Sequence, residues 1–146
     1  MRYAILGDIH ANRAALDAVL ADAAGQAVDR YACVGDIVGY NADPSYCLST
    51  LRPLIGRDVV RGNHDHYCMG QTLLTGVNAA AAAVIHKTRE MLSDEERAYL
   101  ASLPFTRTIT GNPVKSRVSG IFMLKIIAKM YHFQDTKRAF LLLEFC

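Results

Sequence analysis

At 146 residues, 51% hydrophobic and 21% charged, the chain is long enough for one domain with a real core and has an ordinary globular make-up. A formal net charge of +2 makes no case for specific nucleic-acid binding, and no apolar run reaches the length that spans a bilayer. Cys33, Cys47, Cys68 and Cys146 show no CxxC spacing and read as reduced thiols; with an N-terminus that lacks a signal-peptide layout, they predict a cytoplasmic protein.

The charge is unevenly spread. Residues 1–112 carry a net −2 and residues 113–146 a net +4, and the change falls at Gly111-Asn112-Pro113. The chain therefore divides into an N-terminal part, 1–112, and an atypical basic, apolar tail, 113–146.

"YAILGD" is an apolar run closed by Gly7 and reads as a buried strand. "NRAALDAVLADAA" places Leu16, Val19, Leu20 and Ala23 at helical spacing behind Asn12, an N-cap type. "DRYACVGD" predicts a second strand. "DPSYCLSTLRPL" starts a helix, with Asp43 as N-cap and Pro44 at the first helical position. "RDVVRGNHD" predicts a third strand, so the first 65 residues read β-α-β-α-β with parallel strands. "NAAAAAVIHKTREML" and "SDEERAYLASL" predict helices, the second with Ser93 and Glu96 at capping-box spacing, and "FTRTIT" predicts a strand. In the tail, "GIFMLKIIAKMYHF" reads as an amphipathic helix, and "RAFLLLEF" as a strand or a helix end. The fold class is α/β.

Each of the first three predicted strands ends in glycine followed at once by ligand-type residues: Gly7-Asp8-Ile9-His10, Gly35-Asp36 and Gly62-Asn63-His64-Asp65. Parallel strands bring their carboxyl ends to one sheet edge, where α/β proteins bind ligands. Asp8, His10, Asp36 and Asn63 offer carboxylate, imidazole and amide donors, a set suited to manganese, iron, cobalt, nickel or zinc. Asp36, on the middle tip, is placed to bridge two ions; a pair roughly 3.5–4 Å apart can clamp a phosphoryl group and generate hydroxide at neutral pH. His64 would then protonate the leaving oxygen or stabilise charge on the phosphorus oxygens, with Asp65 orienting its imidazole. Gly39, Tyr40 and Asn41 follow Asp36 closely and are candidates to line the substrate cleft. His66 and Arg61 read as solvated, the latter an exposed strand-end arginine, and His86 as a surface or packed helix residue.

"DIH", "GDIVGY" and "RGNHD" resemble the calcineurin-like metallophosphoesterases, and "GDIVGYNADPSYCLSTLR" is most similar to their small bacterial phosphodiesterase branch. The resemblance runs from about residue 2 to 112 and implies a two-sheet sandwich between helices. It also implies a divalent-metal-dependent phosphoesterase attacking a small-molecule or nucleotide phosphodiester with metal-bound hydroxide. By it, Asp8, His10 and Asp36 belong to the first metal position, Asp36 and Asn63 to the second, and His64 takes the catalytic histidine's place.

Three departures bear on this. Gly7 stands where the family more often has serine, Ala11 replaces a usual glycine, and the family's later "GH" and "GHTH" histidines have no counterpart. The ligand count then predicts one occupied site of moderate affinity and one weak site. The alternative reading is a catalytically impaired metal-binding remnant or binding module. The tail reads as an out-of-frame or replaced C-terminus, and an uncovered sheet face would favour homo-oligomers.

Overall fold

Tyr3, Ala4, Ile5 and Leu6 are buried one after another, as a strand covered on both faces requires. They belong to β1 (Arg2–Leu6), which opens the fold in the computed structural model; that structure describes residues 2–70, 73–110, 115–119 and 140–144. Beyond β1 come α1 (Arg13–Ala24), β2 (Arg30–Cys33), α2 (Pro44–Ile55), α3 (Asn63–Cys68), α4 (Ala79–Met91) and α5 (Asp94–Ser102). The chain ends in β3 (Thr106–Thr110), β4 (Lys115–Ser119) and β5 (Phe140–Glu144).

β1 pairs in parallel with β2, in the register Tyr3 to Arg30 through Leu6 to Cys33, so both strands deliver their glycine-acid tips to the same edge. On its other side β1 pairs antiparallel with β5, and β3 and β4 form a separate antiparallel pair. The architecture is mixed α/β, as expected.

The third predicted strand is reduced. Val59 makes only an isolated parallel bridge to Cys33, through Cys33 N–H to the Asp58 carbonyl (2.8 Å) and Val60 N–H to the Cys33 carbonyl (3.0 Å). One residue later the pairing switches partner: Arg61 N–H donates to the Pro104 carbonyl at 2.8 Å. The stretch is extended and carries its tip to the same edge, but it adds no ladder. Arg61 is buried rather than exposed. Its guanidinium donates to the Ala101 carbonyl (3.3 Å) and lies 4.2 Å from the Phe105 ring centroid, so a carbonyl and an aromatic face take up its charge.

The helices start where their caps say. The Asn12 side chain accepts from Ala15 N–H at 3.0 Å, and Ser93 and Glu96 complete the capping box of α5. Asp43 sits at the N-cap of α2 but makes no side-chain cap bond; Pro44 supplies the helix start. Leu48, Leu51 and Ile55 of α2 join Leu6, Cys33, Ile85 and Leu100 in one core beneath the sheet edge. In the tail, "RAFLLLEF" yields the strand β5, while the predicted amphipathic helix, with Lys125, Lys129 and His132, lies outside the described residues.

Candidate metal centre

The backbone at the strand tips is unusual before any side chain is considered. Among the described residues, six non-glycine positions have positive φ, and all but Ala27 lie here: Asp8 (50°), His10 (51°), Ala11 (56°), Asp36 (54°) and Tyr40 (64°). Each left-handed residue costs on the order of 1–3 kcal/mol, which persists only where surrounding structure over-determines it. Here that structure is a lacing of one tip to another. His10 N–H donates to the Asp36 carbonyl (2.9 Å), Ala11 N–H to the Ile37 carbonyl (2.8 Å) and Asp43 N–H to the Ala11 carbonyl (3.2 Å).

Two glycines let the second and third tips touch. A Cβ on Gly35, at φ +98°, would overlap the Gly62 nitrogen and lie 2.6 Å from its Cα; one on Gly62 would lie 2.6 Å from the Asp36 carboxyl carbon. Only glycine at both positions allows the approach.

The lacing gathers one ligand atom each from Asp8, His10 and Asp36 within 4.8 Å of one another. His10 Nε2 stands 3.9 Å from Asp8 Oδ1, while His10 Nδ1 faces the Val38 carbonyl at 3.4 Å. A histidine that turns one nitrogen to a backbone carbonyl and the other to a carboxylate cluster is oriented as metal-binding histidines usually are. Burial lifts the Asp36 carboxyl above the ordinary carboxylate range, and the Asp8 charge adds to the lift, against the pull of the His64 N–H and the His10 imidazole. A cation relieves that repulsion. Two carboxylates and one imidazole, so crowded, fit a divalent ion of intermediate hardness. Among the described residues the thiols lie outside this group, and burial pushes Cys47 and Cys68 up to about 12, and Cys33 higher still.

Asn63 is the first residue of α3 and is exposed; the next residue turns inward. His64 N–H donates to Asp36 Oδ1 at 2.8 Å, and the His64 ring lies 4.8 Å from the His10 ring, edge to face. Burial, with the His10 charge, lowers the His64 pKa to about 4, so its ring is neutral at pH 7.

Asp65 does not orient His64. Its carboxylate is fully buried and accepts from four backbone N–H groups: Asp36 (2.8 Å), Ile37 (2.9 Å), Val38 (3.1 Å) and Gly62 (3.0 Å). His64 Nδ1 is buried with no hydrogen-bond partner. The carboxylate at the third position of α3 is drawn to the nearest bare donors, which belong to the second tip, so Asp65 fastens one tip to the other.

Gly39 and Tyr40 frame the histidine. A Cβ on Gly39 would lie 2.8 Å from His64 Nδ1, so glycine makes room for the ring. The Tyr40 ring rests 4.4 Å from the His64 ring and 4.8 Å from that of His10, yet Tyr40 remains 53% exposed. Asn41, expected in the substrate cleft, turns its side chain onto protein: Nδ2 donates to the His10 carbonyl at 2.8 Å.

Residues 1–111 match the calcineurin-like phosphoesterase superfamily domain. The chain belongs to that superfamily. The phosphoesterase domain is 40% identical over 101 residues to the uncharacterized protein MJ0912 of Methanocaldococcus jannaschii, covering 69% of this chain and 41% of that protein. It is similar in structure to a metallophosphoesterase from Sphaerobacter thermophilus, with a TM-score of 0.64 and 41% identity over 76% of this chain and 44% of that one. A proposed diadenosine tetraphosphatase gives a TM-score of 0.55 at 28% identity, over 72% and 44% of the two chains. The phosphoesterase chain thus spans less than half the length of each of these relatives.

Reading the phosphoesterase sequence by its tips found the trio but missed the lacing. The signals for it were in plain view as Gly62 three residues before Asp65, the spacing at which an N-terminal helix carboxylate reaches back to a bare N–H.

Proposed function

We propose that this domain binds a divalent cation through Asp8, His10 and Asp36 and hydrolyses small phosphoesters, phosphodiesters first among them. The observation that carries the reading is the convergence of three ligand atoms within 4.8 Å on backbone held in the left-handed region. A divalent metal bound there would supply Lewis acidity toward a phosphoryl oxygen and a lowered pKa for bound water. Around it, the chain's own residues bind and orient. Neutral His64 offers a hydrogen bond beside the trio, and Tyr40 offers an exposed ring edge to the leaving group. Asn63 is the candidate to widen the site toward a second ion. The likeness to a proposed diadenosine tetraphosphatase supports a nucleotide-type ester as the substrate class. Manganese is the first ion to try, and the reduced-thiol reading of the cysteines supports a cytoplasmic setting.

The second reading, a metal-binding module with little turnover, is favoured by the ligand count. Among the described residues only this one group of three histidine, cysteine or acidic side chains gathers closely enough to hold a cation.

Manganese-dependent hydrolysis of an aryl phosphodiester, compared with Asp36→Asn, tests both. Turnover that falls by at least about 100-fold in the variant supports the hydrolase. Manganese binding without turnover above the variant supports the module, and no binding at all defeats both readings.

A further inference from the structure

The side chain of Asn41 is exposed, yet it is committed to the backbone of a residue 31 positions earlier. The His10 carbonyl accepts twice from Asn41, from its N–H at 3.1 Å and from Nδ2 at 2.8 Å. His10 is a histidine in the left-handed region, followed by Ala11 in the same region, and such a pair is not held by local preference. On its other side the same residue is gripped through His10 N–H to the Asp36 carbonyl (2.9 Å) and through Nδ1 facing the Val38 carbonyl (3.4 Å). Residues 36–41 therefore enclose His10 from N–H to carbonyl, and within that enclosure it is the Asn41 side chain that donates to the His10 backbone. Without the side-chain grip, the peptide after His10 keeps only the bonds of the Ala11 and Asn41 N–H groups against its left-handed strain, while His10 Nε2 has to stay aimed at Asp8 Oδ1, 3.9 Å away.

We propose that Asn41 is a positioning residue for His10, fixing the backbone that aims the imidazole at the cation, and not a substrate-contacting residue. The inference rests on the metal-site reading of Asp8, His10 and Asp36. Groups that orient metal ligands typically contribute tenfold or more to affinity when removed. An exposed side chain spent on a carbonyl is cheap to replace structurally, so the effect appears in the site and not in folding.

The test is a cobalt(II) titration of wild type, Asn41→Ala and Asn41→Leu, followed by calorimetry and by the visible absorption of the bound ion, with circular dichroism to confirm folding. Asn41→Leu keeps the branched shape and removes the donor, and it decides the matter if Asn41→Ala does not fold. The expected result is an affinity about tenfold weaker in both variants, with an altered cobalt spectrum. Affinity within twofold of wild type and an identical spectrum would overturn the inference while leaving the metal site standing, all the more if KM for an aryl phosphodiester rose instead. Failure of wild type to bind cobalt would overturn the metal-site reading and this inference with it.

Discussion

The strand tips and the helical layer of α4 and α5 solve the same problem, satisfying the backbone, in opposite ways. The helices do it locally. Asn78 and Ser93 cap their own first turns, and Glu96 reaches back to Ser93 N–H. The tips do it at long range: Asp65 satisfies N–H groups 27 to 29 residues away, and five left-handed residues sit within one edge. Local satisfaction makes a segment that any context would accept. Long-range satisfaction makes a geometry that exists only when the whole edge is assembled, as a ligand-binding constellation needs.

The largest effect should come from cutting the long-range staple. Asp65→Asn puts an amide N–H among four backbone donors and leaves some of them unsatisfied in a buried place. A loss of about 4 kcal/mol is expected, read as a lower urea midpoint with unchanged slope. A midpoint within experimental error of wild type would mean that the tips do not depend on this carboxylate.

Gly35→Ala should come next. The added Cβ meets the backbone of Gly62 and asks alanine to hold φ near +98°, so about 3 kcal/mol is expected, together with weaker metal binding because the Asp36 tip moves. A variant that kept wild-type stability would show that the two tips have slack between them.

These two effects bear on what could be read from the chain beforehand. The β-α-β-α start, the cap of α1, the box of α5 and the glycine-acid tips were legible because each rests on residues a few positions apart. The third strand was not, because its hydrophobic run, Val59-Val60, satisfies itself with one bridge to Cys33 before Arg61 turns to Pro104. The role of Asp65 is hidden in the sequence for a similar reason. A carboxylate next to a histidine suggests an orienting pair, but the decisive neighbours, the N–H groups of residues 36–38, are neighbours only in space. The pairing of β5 with β1 joins residues more than 130 apart, and sequence pattern alone left strand and helix end equally open.

A smaller, sign-changing pair sharpens the contrast. Ala27 is exposed at φ +51°, whereas Ala83 is exposed inside α4. Ala27→Gly should stabilise by about 1 kcal/mol by relieving left-handed strain, and Ala83→Gly should destabilise by about 1 kcal/mol through lost helix propensity. Thermal melts of the two variants should move in opposite directions; a shift of the same sign in both would mean that backbone conformation is not what separates them.

The smallest effect belongs to the local side of the comparison and is visible only in acid. Burial raises the Glu96 carboxyl, but the N–H and hydroxyl of Ser93, the Ser45 hydroxyl and the Arg52 charge together outweigh it, so its pKa is lowered on folding. A carboxyl depressed in the folded state binds its proton more readily when unfolded. Its contribution is therefore fully present above the unfolded value of 4.5 and is lost as the pH falls through the lower folded value. Glu96→Gln keeps the acceptor that caps Ser93 and removes the charge. It should cost roughly 0.5 kcal/mol at pH 7 and nothing once both proteins are well below pH 4. Urea midpoints of the two proteins that ran parallel from pH 7 to pH 3 would place the value of the cap in its shape alone. Midpoints that converge in acid would show that its charge matters too, at a helix whose first turn is satisfied by its own residues.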